Sequence, residues 1–316
     1  MTDKLLVIIV TFNGMKWVDK CIQSVLSSTI QSDIFVVDNA STDETPNHIK
    51  QNFPTVHLTC SNKNLGFGAA NNIGLQYAID NEYDYVYLLN QDAWVKEDTF
   101  EKLISIQKQH PEYGILSPMQ LDADERKMNK VFGDIICSRT NEHSFTEDLY
   151  FNQLRQIYST KRIMAAHWLI NGVCLASVGG FSPSFAHYGE DDNYSDRVWF
   201  KGFKIGFCPH VHAIHDTEHR IPEKKRKSYL RYCSAISDIC GFQKSAKLSL
   251  YDFAYDILLS FFGNEYDKKM LIRFFFKFMF NIPYNMRNKK ESKITGAFLK
   301  NSQSNIYNHF RNHHVS

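Results

Sequence analysis

A short polar turn follows an apolar run in the first third of the chain. Residues 85–89, YVYLL, are typical of a buried strand, and Asn90, Gln91 and Asp92 follow at once. In open α/β sheets, ligands bind outside the carboxyl ends of the strands. An aspartate there can hold a divalent cation, and the cation can hold a diphosphate. A solvated turn after a strand explains Asp92 alone equally well. The choice between a turn and a ligand site therefore depends on the other residues near this edge.

Three further segments place polar groups where a strand is predicted to end. They are 11–13, Asp38 and 64–72, the last of which is rich in glycine and asparagine. Because the carboxyl ends of parallel strands share one edge of a sheet, we expect these groups to converge. Asp38 could accept a hydrogen bond from a nucleobase or a ribose hydroxyl. The sequence contains neither the dinucleotide fingerprint GxGxxG nor the P-loop GxxxxGK[ST].

A second acidic cluster consists of Glu190, Asp191 and Asp192. A carboxylate of this kind can act as a general base when it lies within hydrogen-bond reach of a hydroxyl. Acidic residues are also favoured in the first turn of a helix, and on the residues alone this is the better explanation. The two roles are compatible within one cluster.

The spacing of apolar residues predicts alternating strands and helices before residue 114. Strands are predicted at 5–10, 34–37, 56–60 and 85–89, and helices at 17–26, 43–51, through 75–78 and through 100–107. Ser41 and Glu44 are predicted to form the capping box of the second helix. This alternation predicts a parallel sheet with helices on both faces.

The pattern changes after residue 114. Strands are predicted at 114–117, 131–136, 172–177 and 203–207, a short helix is predicted to end at Trp199, and 142–161 is predicted to be a polar loop.

The last hundred residues differ in charge from the rest. Residues 217–316 carry 18 Lys and Arg against 8 Asp and Glu, whereas residues 1–216 carry 18 against 26. A basic region of this kind is typical of contact with an anionic membrane or nucleic acid, or of docking on an acidic part of the same chain. Within it, 270–280 has the aromatic and basic pattern of a helix that lies in a membrane interface, and packing on the catalytic part is the equal alternative. Residues from about 289 are expected to be polar and frayed.

The seven cysteines contain no CxxC pair, and their number is odd. We therefore expect reduced thiols in a cytoplasmic protein. The first apolar run, of about six residues, is too short for a signal peptide, and no apolar window has the length of a membrane span.

Several stretches occur in an order and at spacings that resemble a known family. They are VIIVTFNG, VVDNASTDET, NLGFGAANNIG and LLNQDAWV, followed by NGVCLASVGGF, GEDDNYSDR and PHVHAIH. Over about 5–216 the chain resembles the inverting family-2 glycosyltransferases, particularly bacterial rhamnosyltransferase-like members.

The resemblance implies an α/β fold of the GT-A nucleotide-diphospho-sugar transferase type. Its mostly parallel central sheet would be flanked by helices and followed by a helical C-terminal extension. The catalytic domain is expected at 1–220, with a nucleotide-binding half at about 1–118 and an acceptor half at about 119–220. The basic, aromatic helical region is expected at 221–316.

The resemblance also implies a role for each candidate residue. The nucleotide-sugar-binding residues would be Thr11, Asn13, Asp38, Asn64, Gly66, Asn72, Asn90 and Arg197, the last on the diphosphate or on Glu190. Asp92 and His215 would hold a divalent cation, and their mixed oxygen and nitrogen donors suit Mn²⁺ or Mg²⁺. Asp191 would be the catalytic base that deprotonates the acceptor hydroxyl. The remaining histidines of this part of the chain are interpreted as surface or packing residues, namely His187, His210, His212 and His219.

Two positions depart from the family pattern. Asn90 replaces the first aspartate of the metal-binding DxD element, which removes one negative charge. Asn193 replaces the last acidic residue of the E-D-x-D element, and this puts an acceptor-binding or helix-capping role of that position in doubt.

The expected activity is metal-dependent, inverting transfer of a hexose from a UDP- or dTDP-sugar. The acceptor would be a glycan or lipid-linked saccharide in bacterial surface polysaccharide synthesis, in the cytoplasm or at the inner face of the cell membrane. The alternative is a catalytically degenerate transferase fold kept as a glycan-binding or scaffold subunit, which the two asparagines favour. Nucleic acid is not an expected partner, because no motif accompanies the basic charge.

The C-terminal region could bind the acceptor, dock on a membrane surface through 221–290, or form a homodimer. The sequence leaves the donor sugar, the base, the acceptor and the oligomeric state open.

Overall fold

Nine strands of the described residues form one mixed sheet, flanked by helices. The computed structural model describes residues 3–137, 144–217, 223–242, 251–255, 257–259 and 265–300. The strands are β1 Leu5–Thr11, β2 Asp33–Asp38, β3 His57–Cys60, β4 Tyr85–Asn90, β5 Ala93–Val95, β6 Tyr113–Leu121, β7 Tyr158–Ser159, β8 His167–Asn171 and β9 Lys204–His215. The helices are α1 Val18–Leu26, α2 Thr45–Asn52, α3 Phe67–Asp80, α4 Thr99–Gln109, α5 Lys130–Ile136, α6 Phe145–Tyr150, α7 Gly172–Val178, α8 Glu190–Phe200, α9 Glu223–Cys240 and α10 Lys268–Glu291. Residues 251–255 and 257–259 are also helical.

The strand order is β3-β2-β1-β4-β8-β6-β9-β5, and β7 pairs with β9. Strands β3, β2, β1 and β4 are parallel, as the alternating pattern of the sequence predicts. Strand β8 runs antiparallel between β4 and β6, and β6 is parallel to β9. The expected α/β fold with a mostly parallel sheet is therefore confirmed.

The register of the strands brings the candidate residues together. Thr11 lies opposite Asp38 in the β1–β2 pair, and Val10 lies opposite Asn90 in the β1–β4 pair. In the last strand pair of the order, Ala93 of β5 lies opposite His215 of β9. The carboxyl ends of β1, β2 and β4 thus share one edge.

Apolar side chains on both faces of the sheet hold these strand ends in place. Ile8, Leu88 and Trp168 belong to a core on one face, and Val7 and Tyr87 belong to a core on the other. A strand buried on both faces needs a continuous apolar run, which is why β1 and β4 are recognisable in the sequence.

Two predicted strands are helices in the structure. Residues 131–136 lie in α5, and residues 172–177 lie in α7. Each helix is preceded by an asparagine whose side chain accepts hydrogen bonds from the first turn, Asn129 for α5 and Asn171 for α7. These caps pair backbone N–H groups in the first turn that have no partner within the helix, and they therefore favour a helix over a strand.

Other boundaries also differ from the predictions. The predicted loop at 142–161 contains α6 and β7, although 138–143 lie outside the described residues. The predicted strand at 203–207 is the first part of the longer β9.

The predicted capping box of α2 does not form. The helix begins at Thr45, with Pro46 in its first turn, and the side chain of Ser41 bonds to Asp38 instead.

The C-terminal helices form a separate apolar cluster with the loop before α8. Phe185 of that loop packs in the same cluster as Ile236 of α9 and Phe278 of α10. Within the part of the chain that the structure describes, the helices are too short or too polar to cross a membrane.

Candidate active site

The carboxylate of Asp38 organises the turn after β2. One of its oxygens accepts hydrogen bonds from Thr11 Oγ1 at 2.9 Å and Ser41 Oγ at 2.6 Å, and the other accepts from the Ser41 backbone N–H at 2.9 Å. Asp38 and Thr11 are both buried. A carboxylate has room for about four hydrogen bonds, so Asp38 can fix this turn and still accept one from a ligand.

Asn13 closes the turn after β1. Its side-chain oxygen accepts from the backbone N–H of Thr42 at 2.9 Å, and its own N–H donates to Ser41 Oγ at 2.9 Å. The backbone of Asn13 is left-handed, with φ of 50°, a conformation that asparagine tolerates better than most residues. Asn13 thus ties the ends of β1 and β2 to each other.

The segment around Gly66 runs beside the end of β2. Asn64 Oδ1 accepts from the Gly66 N–H at 2.9 Å and from Asn39 Nδ2 at 3.1 Å. Gly66 has φ of +82°, and a Cβ at this position would lie 1.9 Å from the carbonyl oxygen of Ala186. Only glycine allows the loop before α8 to approach this segment so closely.

Asp92 and His215 face each other across the β5–β9 edge. His215 Nε2 lies 3.5 Å from Asp92 Oδ1. His215 is buried, and its Nδ1 has no hydrogen-bond partner among the described residues; the same is true of the side-chain oxygen of Asn90. Unsatisfied buried polar atoms are rare and need an explanation, and a bound ligand would supply one here.

His167 lies behind the backbone that carries His215 and fixes it through hydrogen bonds. Burial lowers the pKa of His167 to about 3, with a further contribution from His215, so the ring is neutral. It accepts from the Tyr87 hydroxyl at Nδ1 (2.9 Å) and donates from Nε2 to the carbonyl of Ile214 (3.0 Å). Because Ile214 precedes His215, this chain of hydrogen bonds fixes the backbone that carries His215.

The acidic cluster lies in the first turn of α8, as the sequence predicts. Burial and the neighbouring Asp192 raise the pKa of Asp191, and a backbone hydrogen bond from Ala165 opposes this shift. Burial, and secondarily Asp191, also raises the pKa of Glu190. Arg162 lies 3.4 Å from Asp192 and compensates part of the charge.

The segment before β8 connects the acidic cluster to the metal-binding candidates. Ala165 hydrogen-bonds to Asp191, and the carbonyl of the next residue, Ala166, accepts from the Asn90 N–H at 3.1 Å. Asp191 therefore lies near the same sheet edge as Asn90, which is two residues before Asp92.

Comparison with known proteins identifies the family of this fold. The family model of glycosyl transferase family 2 matches residues 6–161, which include the strands that end at Thr11, Asp38 and Asn90. Residues 6–161, about half of the chain, belong to glycosyltransferase family 2. The sequence resemblance is thereby confirmed at the level of the family.

Two relatives of this family-2 glycosyltransferase match most of its length. It is 26% identical over 240 residues to the N-acetylglucosaminyl-diphospho-decaprenol L-rhamnosyltransferase of Mycobacterium tuberculosis, covering 69% of this chain and 78% of that protein. It is 25% identical over 227 residues to the low-salt glycan biosynthesis hexosyltransferase Agl10 of Haloferax volcanii, covering 68% of each.

Solved structures confirm the fold. The crystal structure of GalNAc-T7 with UDP, GalNAc and Mn²⁺ superposes with a TM-score of 0.59 at 16% identity, covering 90% of this chain and 57% of that one.

Two candidate residues do not face the shared edge. Arg197 is fully buried, and its guanidinium donates to the carbonyls of Val178 and Gly180. Asn72 donates to the carbonyl of Phe181 at 2.9 Å and accepts from its N–H. Both side chains hold the segment after α7 in place, and the hydrogen bonds of Arg197 go to these two carbonyls rather than to Glu190. The expected roles of both residues in binding the nucleotide sugar stay predictions.

Three of the remaining histidines are exposed in the structure. They are His187, whose ring lies 4.1 Å from that of Tyr188, and His210 and His212 on β9. His219 lies outside the described residues.

Tyr188 is a part of the site that sequence reasoning missed. It lies three residues before Asp191 and has a left-handed backbone, with φ of 63°, which is unusual for a bulky residue. Its ring lies 6.2 Å from that of Tyr229 on α9. Burial raises the pKa of Tyr188; Arg226, one turn before Tyr229, opposes this shift, and Asp92 adds to it. The only signal in the sequence was the position of Tyr188 beside Gly189.

Proposed function

We propose that this family-2 glycosyltransferase transfers a hexose, with inversion, from a UDP- or dTDP-sugar to a hydroxyl of a saccharide carried on a lipid diphosphate. The observation that carries the proposal is that Asp38, Asn90, Asp92, Asp191 and His215 lie near the carboxyl ends of β2 and β4. The first three of them fall within the residues that match the family model. We further propose a role in bacterial surface polysaccharide synthesis.

In this reaction the acceptor oxygen attacks the anomeric carbon from the face opposite the diphosphate. The new carbon–oxygen bond forms as the bond to the diphosphate oxygen breaks, and the nucleoside diphosphate leaves with both electrons. Asp191 takes the acceptor proton. A raised pKa makes its carboxylate a stronger base than a solvated aspartate, which helps this transfer once the group is deprotonated.

The residues at Asp92 and His215 fit a divalent cation. Two ligands at about 2.1 Å from one cation lie roughly 3.0–3.4 Å apart, depending on the angle between them, and the observed separation is 3.5 Å. The described residues contain no cluster of three or more His, Cys, Asp or Glu that could hold a metal, so substrate oxygens and water would complete the shell. Such a cation would offset the charge of the leaving diphosphate.

Asp38, Thr11 and Asn13 are proposed to bind the nucleoside. Asp38 retains acceptor capacity beyond its three hydrogen bonds to the chain. Asn64 and Gly66 border the same pocket, because their segment is tied to Asn39 at the end of β2.

The acceptor is proposed to approach between the loop before α8 and α9. The M. tuberculosis relative is named for an acceptor in which a diphosphate joins the sugar to a decaprenol. Arg226 is half-buried and has no ion-pair partner among the described residues. It lies close enough to Tyr188 to oppose the rise in pKa that burial causes there. A guanidinium in this position suits a phosphate oxygen.

Titration calorimetry with UDP, dTDP and GDP, with Mn²⁺ or with chelator, tests the proposal. We expect one nucleotide to bind in a metal-dependent manner, and Asp92→Ala to abolish that binding. Asp191→Asn should retain nucleotide binding and lose transfer about 10²-fold or more.

Arg226→Ala should raise the KM for a diphosphate-linked acceptor and leave the nucleotide affinity unchanged. Glu223→Ala, one turn earlier and exposed, is the matched control. Absence of binding by a folded protein to all three nucleotides would exclude the transferase function and favour a degenerate glycan-binding subunit.

A further inference from the structure

Helix α10 has apolar side chains on two opposite faces. On one face Leu271, Phe274 and Phe278 are buried, and Phe274 stacks on Tyr232 of α9 at 4.6 Å. The other face carries a row of exposed apolar residues at positions i, i+4, i+7 and i+8, namely Ile272, Phe276, Met279 and Phe280. Phe280 is 84% exposed and Phe276 is 57% exposed. Packing within the described chain therefore explains only the first face.

The helical residues 251–255 and 257–259 repeat this arrangement. Tyr251, Tyr255, Leu258 and Leu259 are exposed, again at positions i, i+4, i+7 and i+8. Phe253 is buried, and its ring lies 4.9 Å from that of Phe278 on α10. The two helical segments thus contact each other through their buried sides, and each exposes a row of apolar residues on another side. We call the eight exposed residues of the two rows the apolar surface.

Basic residues accompany the apolar surface. Arg273 and Lys277 are exposed on α10 between residues of its apolar row, and Lys268 and Lys269 begin the helix. Acidic residues are scarce, because residues 217–316 contain 8 Asp and Glu against 18 Lys and Arg. A large exposed apolar patch marks an interaction site, and its basic surroundings favour an anionic partner.

A lipid bilayer with anionic headgroups meets both requirements. Aromatic and aliphatic side chains can enter the boundary between headgroups and acyl chains, while lysine and arginine reach the phosphates. Basic residues near an anionic leaflet strengthen binding, and salt weakens this contribution. None of the described helices could span a membrane, so the geometry is that of a helix lying in the interface.

We propose that α10 and the helical residues 251–255 and 257–259 dock this enzyme on an anionic membrane through the apolar surface. The docking itself does not depend on the reaction. Its consequence for the acceptor rests on the proposed function. Helix α9 packs on α10 and on the loop before α8. Docking would therefore hold the space between that loop and α9, where the acceptor is proposed to enter, close to the lipid.

Sedimentation with lipid vesicles tests the proposal. The full chain is mixed with vesicles of phosphatidylcholine alone or with added phosphatidylglycerol, and the bound fraction is measured at low and high salt. We expect binding to the vesicles that contain phosphatidylglycerol, weaker at high salt. The double variant Phe276→Ser, Phe280→Ser should bind at least tenfold more weakly, since burying one phenylalanine contributes about 1.5–3 kcal/mol.

Two further variants complete the design. Tyr150→Ser removes an aromatic residue of the catalytic part that is 83% exposed, and it should bind like the unmodified protein. Arg273→Gln with Lys277→Gln should remove the preference for phosphatidylglycerol. Thermal unfolding of each variant shows that it is folded.

Three results would overturn the proposal. The first is failure of the folded protein to bind any vesicle. The second is binding of the double phenylalanine variant that is as tight as that of the unmodified protein. The third is a protein that binds no vesicle but forms a dimer, which the double variant converts to a monomer. The last result would assign the apolar surface to a second copy of the chain. Calorimetric nucleotide binding in the same preparations shows separately whether the proposed reaction survives.

Discussion

Asp191 can act as a base only when it is deprotonated, so its neighbours set the pH at which the enzyme works. Burial raises its pKa, and the negative charge of Asp192 raises it further. Transfer should therefore fall as the pH drops through this raised pKa, at a higher pH than a solvated aspartate would give.

The first prediction concerns the neighbour of Asp191. Asp192→Asn removes a like charge and should lower the pKa of Asp191, so the acid limb of the profile of kcat/KM against pH should move to lower pH. The control is Asp196→Asn, one turn further along α8, which also lies near Arg162 (3.8 Å) but should leave the limb nearly in place. An acid limb that Asp192→Asn leaves unmoved would show that another group controls it.

The site was predictable where a side chain directly follows a parallel strand. Asp38 and Asn90 are examples, because strand register alone brings them to one edge. For Arg197 and Asn72 the motif gives a position in the chain and not the direction of the side chain. Both point into the protein and bond to backbone groups after α7. Whether the remaining candidates bind substrate stays a prediction.

At the scale of elements, local sequence patterns sufficed for the parallel half of the sheet. There the strands alternate with helices. Strand β1 pairs with β2, and β2 pairs with β3, so the paired strands are also consecutive in the sequence. Beyond residue 114 the partners are distant, as in the pairing of β8 with β4 and β6. The short apolar runs of α5 and α7 fit a strand or a helix equally well, and the asparagine before each decides.

Asn171 makes this decision testable. Its side chain caps α7 by accepting from the Cys174 N–H at 2.7 Å, and it also donates to the carbonyl of Tyr113 at 3.0 Å. Asn171→Ala would leave the Cys174 N–H without its cap and would remove one hydrogen bond from the Tyr113 carbonyl, which also accepts from Gln107 Nε2. We expect it to lower the free energy of unfolding by about 1–3 kcal/mol. Urea denaturation followed by circular dichroism measures this change.

The control for the cap is Asn47→Ala. Asn47 is exposed on α2 and bonds only to the Glu44 side chain among the described residues. Its substitution should change stability by less than about 0.5 kcal/mol. Equal effects of the two substitutions would show that the cap does not determine α7.

At the scale of the whole molecule, the chain returns from its C-terminal helices to the catalytic part. The sequence predicts frayed residues from about 289, yet α10 continues to Glu291 and Ala297 is buried; the part of this prediction that concerns 301–316 lies outside the described residues. The Gly296 N–H donates to the carbonyl of Ser177, and the carbonyl of Ala297 accepts from the Gly180 N–H at 2.8 Å. No local pattern indicates this return, because it depends on contacts across more than a hundred residues.

The same return reaches the helix that carries the proposed base. The Arg197 guanidinium of α8 lies 4.9 Å from the ring centre of Phe298. Arg197 also donates to the two carbonyls after α7, so it joins the C-terminal segment, α7 and α8. We therefore expect a change at residue 298 to be felt at Asp191, six residues before Arg197 on the same helix.

Phe298→Ala is the variant that tests this coupling. Loss of the cation–π contact with a buried guanidinium, together with lost packing, should lower the free energy of unfolding by about 2 kcal/mol. It should also lower kcat, because α8 loses part of its support, while calorimetric nucleotide binding at the distant strand ends stays unchanged. Phe280→Ala removes a ring that is 84% exposed, and it should alter neither stability nor kcat with an acceptor in solution. If Phe298→Ala left both quantities unchanged as well, the C-terminal segment would have no part in holding the base.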